Sequence, residues 1–181
     1  SGSMGDEING VLAALNIFSQ EFADQSAVKW GFIYAPTYEL GWGEKALIIS
    51  DLKPFEDFYS ILASTGFQTQ GGYEMLYDML YLLMDGIVPQ ASMPYPKSIL
   101  QWDPNYGISS VPELQHFSVS WRPNANHVII VFTDEDGQSY MNSTTMSPID
   151  GKTAFGNGYI TQPILLDLIK QDPKLSIYTF T

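Results

Sequence analysis

The feature that most constrains this chain is an uninterrupted apolar run, His127-Val128-Ile129-Ile130-Val131-Phe132, closed by Thr133-Asp134-Glu135-Asp136-Gly137. A strand with one face in water alternates apolar and polar residues. A run without alternation is how a strand reads when both its faces are covered, as in a parallel sheet. Parallel strands need long crossovers, usually helical. The run therefore implies strands and helices taking turns along the chain.

The remaining sequence supplies that alternation. Ile8, Val11, Leu12, Leu15, Phe18 and Phe22 fall at helical spacing, with Asp6 and Glu7 where the positive end of a helix dipole favours anions, and predict a helix over about 5–24. Branched and aromatic residues at 27–34, then Lys45 to Ser50, predict two strands joined by a turn rich in Gly and Pro. Pro54 to Ser64 predicts a helix that starts on Pro and acidic residues. Leu76, Met79, Leu80 and Leu83 share one face of a helix over 73–84, preceded by a polar loop that contains Gly71-Gly72. A short helix is expected at 164–170 and a last strand at 174–181. The stretch 86–126 breaks this rhythm with six prolines, and an irregular segment of that length is functional or separately folded. Its Tyr95, Trp102, Tyr106 and Trp121 suit a recognition surface and packing onto the sheet equally well.

The expectation is a single α/β domain over 1–181 with a Pro-rich insertion at about 86–126. Its sheet is doubly wound, mostly parallel and flanked by helices. Because the chain opens on Ser1-Gly2-Ser3 and passes straight into a helix, the first strand of that sheet is expected upstream of Ser1. It would be cleaved off, carried by another chain or outside this sequence. A vector-derived tripeptide ahead of a natural start at Met4 is the alternative.

Charge narrows the partners. With 8 basic and 20 acidic residues, a net charge of −12, the surface repels phosphate backbones and anionic membranes and suits cations or basic partners. Nucleic-acid binding is not expected. No apolar stretch is long enough to span a bilayer, so membrane insertion of this domain is not expected either. There is no cysteine, hence no disulfide, thiolate metal site or Cys nucleophile. The two histidines, His116 and His127, lack an elbow motif to complete a hydrolase triad, and His127, leading into the apolar strand, reads as structural. One Asn142-Ser143-Thr144 sequon is too common a pattern to fix the compartment.

Three stretches fall where such a sheet places ligands, at the carboxyl ends of strands. They are Ser1-Gly2-Ser3 ahead of the first helix, Gly71-Gly72-Tyr73-Glu74 ahead of the second apolar helix, and Thr133-Asp134 at the end of the apolar strand. Together they offer hydroxyls and carboxylates and no soft donor. That set selects hard cations such as Mg²⁺, Ca²⁺ or Mn²⁺. Asp134-x-Asp136-Gly137 alone lacks the further spacing of a calcium loop.

These stretches resemble a known family. Ser1-Gly2-Ser3-Met4-Gly5-Asp6-Glu7-Ile8 is similar to the end of the Asp-x-Ser-Gly-Ser motif of von Willebrand factor type A domains, the core of their metal-ion-dependent adhesion site. Val128 to Asp134 resembles the family's fourth strand with its terminal Asp ligand. Gly71-Gly72 with Glu74 to Leu80 is similar to the loop and helix of integrin-β-like members, which place a Glu as ligand four residues before an Asp, here Asp78. The resemblance is discontinuous but ordered, and it spans nearly the whole chain. It departs in lacking the leading Asp and in a shorter loop ahead of Glu74.

The resemblance implies a non-enzymatic, divalent-cation-dependent module for adhesion or protein recognition. Mg²⁺ would be the cation, with Ca²⁺ or Mn²⁺ as alternatives. Its ligands would be Ser1, Ser3, Glu74 and Asp134, with Thr69 as the alternative to Glu74. Tyr73 and Glu135 would border the bound ligand, a protein or peptide whose exposed Asp or Glu completes the coordination. Asp78 itself reads as a residue that supports the loop or faces solvent rather than one that touches the ion. An extracellular or cell-surface setting follows from an adhesive role. An intracellular scaffold working with an ATPase partner in the cytoplasm, and a metal-dependent hydrolase, are the rival readings.

Overall fold

The computed structural model describes residues 9–17, 27–34, 47–64, 76–95, 100–102, 118–133, 137, 139, 141–143 and 160–180. In chain order the elements are a helical run α1 (residues 9–17), β1 (Trp30–Tyr34), β2 (Leu47–Lys53), α2 (Phe55–Ser64), α3 (Leu76–Met84) and a 3-10 turn (Gln90–Ser92). After them come β3 (Leu100–Trp102), β4 (His127–Phe132), β5 (Met141–Ser143), α4 (Gln162–Ile169) and β6 (Leu175–Phe180). The chain is thus mixed helix and strand, and its long periodic segments fold as their patterns predict.

Among the described residues the strands pair as three two-stranded ladders. β1 and β2 are antiparallel, Trp30 opposite Lys53 and Tyr34 opposite Leu47, with register shifts on either side of Phe32. β3 and β5, neither of them expected, are also antiparallel. Only β4 and β6 are parallel, from His127 opposite Leu175 to Phe132 opposite Phe180. Backbone bonds extend that ladder at both ends, His127 N–H to Lys174 O at 3.1 Å and Thr133 N–H to Phe180 O at 3.1 Å. The described residues therefore contain one parallel crossover, β4–α4–β6, and not the continuous doubly wound sheet.

β4 also departs from the expectation of two covered faces. His127, Ile129 and Val131 are buried, while Val128, Ile130 and Phe132 are exposed. α4 covers the inner side with Leu165 and Leu168, which share a core with Ile129, Val131, Leu175 and the α3 residues Met79, Tyr81, Leu82, Leu83 and Met84. On the outer side Phe132 and Phe180 stack with centroids 5.3 Å apart, and both remain about half exposed. An apolar run records which residues can be covered, not which faces have a covering element.

A second, smaller core lies between α1, α2 and the β1–β2 hairpin. Pro54 O accepts the first helical bond of α2 from Phe58 N–H at 3.0 Å, and Glu56 and Asp57 sit in the first turn. The helix buries Phe55, Phe58 and Leu62 against Trp30, Phe32, Leu12 and Leu15. Burial of such side chains is worth about 1.5–3 kcal/mol each. Trp30 meets Phe55 edge-on at 5.4 Å. Ile33 and Leu52 pack against the larger core instead, so the hairpin is shared by both cores.

Parts of the Pro-rich segment belong to the larger core. Val88, Met93, Tyr95 and Val119 are buried there, and Trp121 packs against it. Tyr81 Oη donates to Tyr95 O at 2.6 Å and accepts from Tyr95 N–H at 2.8 Å. Trp121 Nε1 donates to Leu83 O at 3.0 Å. For Tyr95 and Trp121 the structure selects packing over display. Trp102 lies on β3, and Tyr106 lies outside the described residues.

Candidate functional site

Both strands of a parallel pair end on the same side, and here that end is Thr133, whose side chain is 4% exposed. The chain after Thr133 meets the first turn of α3. Asp78, on that turn, is fully buried, and Ser139 is 1% exposed. Ser139 Oγ donates to Asp78 Oδ1 at 2.5 Å, across 61 residues of sequence. The same oxygen accepts from Ile160 N–H at 3.3 Å, at the entry to α4. A buried carboxylate is costly unless it is hydrogen-bonded, and a hydroxyl donating to a carboxylate makes a short, charge-assisted bond.

Gly137 reinforces this junction. A Cβ built there would fall on Cε1 and Cδ1 of the Tyr77 ring, so the glycine is what lets the backbone lie against α3. Tyr77 and Asp78, on the first turn of α3, thus meet Gly137 and Ser139 in the chain that follows β4. α1 packs its Leu12 and Leu15 against the Phe55, Phe58 and Leu62 cluster of α2. Ser1, Ser3, Thr69, Tyr73, Glu74, Asp134 and Glu135 themselves lie outside the described residues.

Every donor assigned from the sequence is an oxygen, a set that suits a hard cation in its chemistry. Among the described residues, no three His, Asp or Glu side chains gather within reach of one metal ion.

Sequence reasoning kept Asp78 as a loop support and missed Ser139 altogether. The signal for a buried partner was present. Asp78 lies three and four residues before Tyr81 and Leu82, on the buried stripe of α3, and a carboxylate on such a stripe needs a donor from elsewhere in the fold.

Two further polar clusters are structural. At the opposite end of β4, His127 Nδ1 lies 2.9 Å from Asp172 Oδ2, and Nε2 lies 3.2 Å from Arg122 O, with Trp121 edge-on at 5.1 Å. Burial pushes the Asp172 carboxyl up, but bonds from Lys174 N–H and His127 outweigh it and leave the group below its ordinary value. Asp51 on β2 accepts from Leu52 N–H at 2.8 Å, Ser120 N–H at 3.0 Å and Ser120 Oγ at 2.5 Å. Burial raises its pKa too, and those bonds with the nearby Lys53 charge bring it below the ordinary value.

A shallow concavity of about 520 Å³ runs along α2, lined by Phe55, Glu56, Tyr59, Ser60, Ala63 and Ser64. It holds one carboxylate and three hydroxyls, all from a single helix. Among the described residues no helix is long and apolar enough to cross a membrane. No family model, curated protein or solved structure matches the chain.

Proposed function

We propose that this chain is a recognition module that binds a carboxylate-bearing protein or peptide through a hard divalent cation, Mg²⁺ by preference, at the carboxyl end of β4. The observation that supports it most is the bond from Ser139 to Asp78, because it joins the chain that follows Asp134 to the helix that follows Glu74. In this reading the parallel β4–β6 pair is part of a larger doubly wound sheet. Asp134 and Glu74 supply charge, the Ser1 and Ser3 hydroxyls supply neutral oxygen, and Thr69 is the alternative to Glu74. Mg²⁺ prefers octahedral oxygen and keeps several waters, which leaves a coordination position for the carboxylate of the partner. The protein's own work is to hold these oxygens still and to present Tyr73 and Glu135 beside the bound ligand. No covalent step is involved.

Titration of the purified chain with Mn²⁺, read by the loss of free-ion paramagnetic resonance signal, tests the reading. One saturable site is expected, weakened at least tenfold in Asp134→Ala and in Glu74→Ala. A short peptide containing Asp should bind only with the ion present, and its Asn counterpart should not bind. Mn²⁺ affinity unchanged in both variants, or peptide binding indifferent to the ion, refutes it.

A further inference from the structure

Among the described residues, both hydrogen-bond partners offered to the ring of His127 are acceptors. The residue is 7% exposed at the start of β4. Its Nδ1 lies 2.9 Å from Asp172 Oδ2, and its Nε2 lies 3.2 Å from Arg122 O. A carboxylate and a backbone carbonyl have no proton to give, and a neutral imidazole carries only one. Both contacts are hydrogen bonds only when both ring nitrogens are protonated, which is the imidazolium. Asp172 suits that cation. Its other oxygen accepts from Lys174 N–H at 2.9 Å, and its carboxyl titrates below the ordinary value, so it is anionic throughout the range in which histidines change charge. The cationic groups nearby are engaged elsewhere: Lys174 Nζ donates to Asn124 O at 3.2 Å, and Arg122 Nη2 donates to Ala27 O at 2.6 Å. On α4, Asp167 and Lys170 pair with each other at the surface, and the Trp121 ring at 5.1 Å from His127 is uncharged.

We propose that His127 is a pH-operated clasp, which as the imidazolium ties the Arg122 carbonyl and the Asp172 carboxylate to the start of β4, and which releases the Arg122 corner on losing a ring proton. The two bonds are not equal. The one to the carboxylate is shorter and charge-assisted, so the neutral ring keeps its proton on Nδ1. Nε2 then turns a lone pair toward Arg122 O, and a bond becomes a repulsion between two acceptors. Ala125 N–H, which also bonds Arg122 O at 3.3 Å, lies in the turn that this loosens. The folded chain thus favours the proton, so the stabilisation is full at the acid side of about pH 5–8 and is lost as pH rises through that range. The clasp closes the end of β4 opposite Thr133, and it stands whether or not that other end binds an ion.

The test compares the whole wild-type chain with His127→Gln, which fills the site without titrating. Urea unfolding of both is followed from about pH 5 to 8, and His116, common to both chains, cancels in the comparison. His127→Gln should unfold more readily at the acid end, and the ratio of its unfolding constant to that of wild type should fall about tenfold by the alkaline end, the worth of one hydrogen bond to a charged group. In wild type, hydrogen exchange corrected for its intrinsic pH dependence should quicken about tenfold at Ala125 over the same range. It should not change in α2, nor at Lys174, whose N–H stays on Asp172. Ring nitrogen resonances should show two protonated nitrogens on His127 at the acid end and Nδ1 alone protonated at the alkaline end. A flat ratio overturns the clasp, and so does exchange at Ala125 that ignores pH or quickens everywhere alike. A bare ring nitrogen at the acid end, or a bare Nδ1 at the alkaline end, overturns it as well. If His127→Gln does not fold, the wild-type exchange and ring resonances decide by the same criteria.

Discussion

Removing one oxygen from Tyr81 should be among the most damaging conservative changes available to this fold. The hydroxyl serves a single residue twice, donating to Tyr95 O at 2.6 Å and accepting from Tyr95 N–H at 2.8 Å. Tyr81 is fully buried and Tyr95 is 7% exposed, so water does not replace the lost partner. An orphaned buried donor or acceptor costs about 1–3 kcal/mol. A carbonyl tolerates under-satisfaction better than an N–H, so Tyr81→Phe should cost about 2–4 kcal/mol in all. With a urea m-value of about 1–3 kcal/mol/M, the midpoint should fall by about 0.7 M or more at unchanged m. A fall of less than about 0.3 M would mean that the hydroxyl does not hold the segment at Tyr95, and the account of that corner of the core would fail.

The same group gives an alkaline test. Burial pushes the Tyr81 pKa up from 10.0 to about 12, although its bond with Tyr95 works in the opposite direction. A raised pKa means that the folded state holds the proton more tightly than the unfolded state. That stabilisation is complete below pH 10 and disappears as pH rises toward 12. Two units at about 1.4 kcal/mol each come to about 3 kcal/mol. The stability gap between wild type and Tyr81→Phe should therefore narrow over pH 10–12. A constant gap would refute the assignment.

At the acid limb the signs reverse. Asp51 and Asp172 both titrate below the ordinary carboxylate value of 3.8, so the stabilisation they give is full above pH 4 and is lost as pH falls through their folded values. Asp51→Asn and Asp172→Asn should each lower stability at neutral pH and flatten its acid dependence, as followed by denaturant midpoints from pH 2 to 6; a slope as steep as wild type in both would contradict the assigned bonds. Gly137→Ala should cost about 1–3 kcal/mol as an overpacked contact, because the added methyl meets the Tyr77 ring rather than a flexible chain end. In a Tyr77→Ala background the same change should cost at least about 0.5 kcal/mol less. Equal costs in the two backgrounds would show that the ring is not what excludes the methyl.

What could be read from the sequence follows the range of each interaction. α2, α3 and α4 each carry a local stripe, and α2 and α4 begin at Pro residues that suit a first turn, so their limits fall within a few residues of those expected. β4 was legible as a strand for the same reason. Its surroundings were not. A run such as Val128-Ile129-Ile130 contains no mark of which face will be covered, and the structure covers only the side of Ile129 and Val131. β3 and β5 escaped notice because each is three residues long and their pairing is non-local, Leu100 opposite Ser143, inside polar and Pro-rich surroundings without alternation.

The candidate site divides along the same line. Its chemistry, hard oxygen donors placed next to helix starts and strand ends, is written in short motifs, and no fold is needed to find them. Its mechanics are not, because they depend on pairs such as Asp78 with Ser139, 61 residues apart, and Asp51 with Ser120, 69 apart. Such pairs leave only half a trace in a sequence: a carboxylate on a buried stripe announces that a donor must come, without saying from where. Buried polar groups are nearly always satisfied, so each such trace sharply restricts the packings that are permitted. Asp78 rules out any arrangement of α3 that presents only aliphatic neighbours to its first turn. That restriction leads from the helix to the segment after β4, the place where the motifs had already put the ligand.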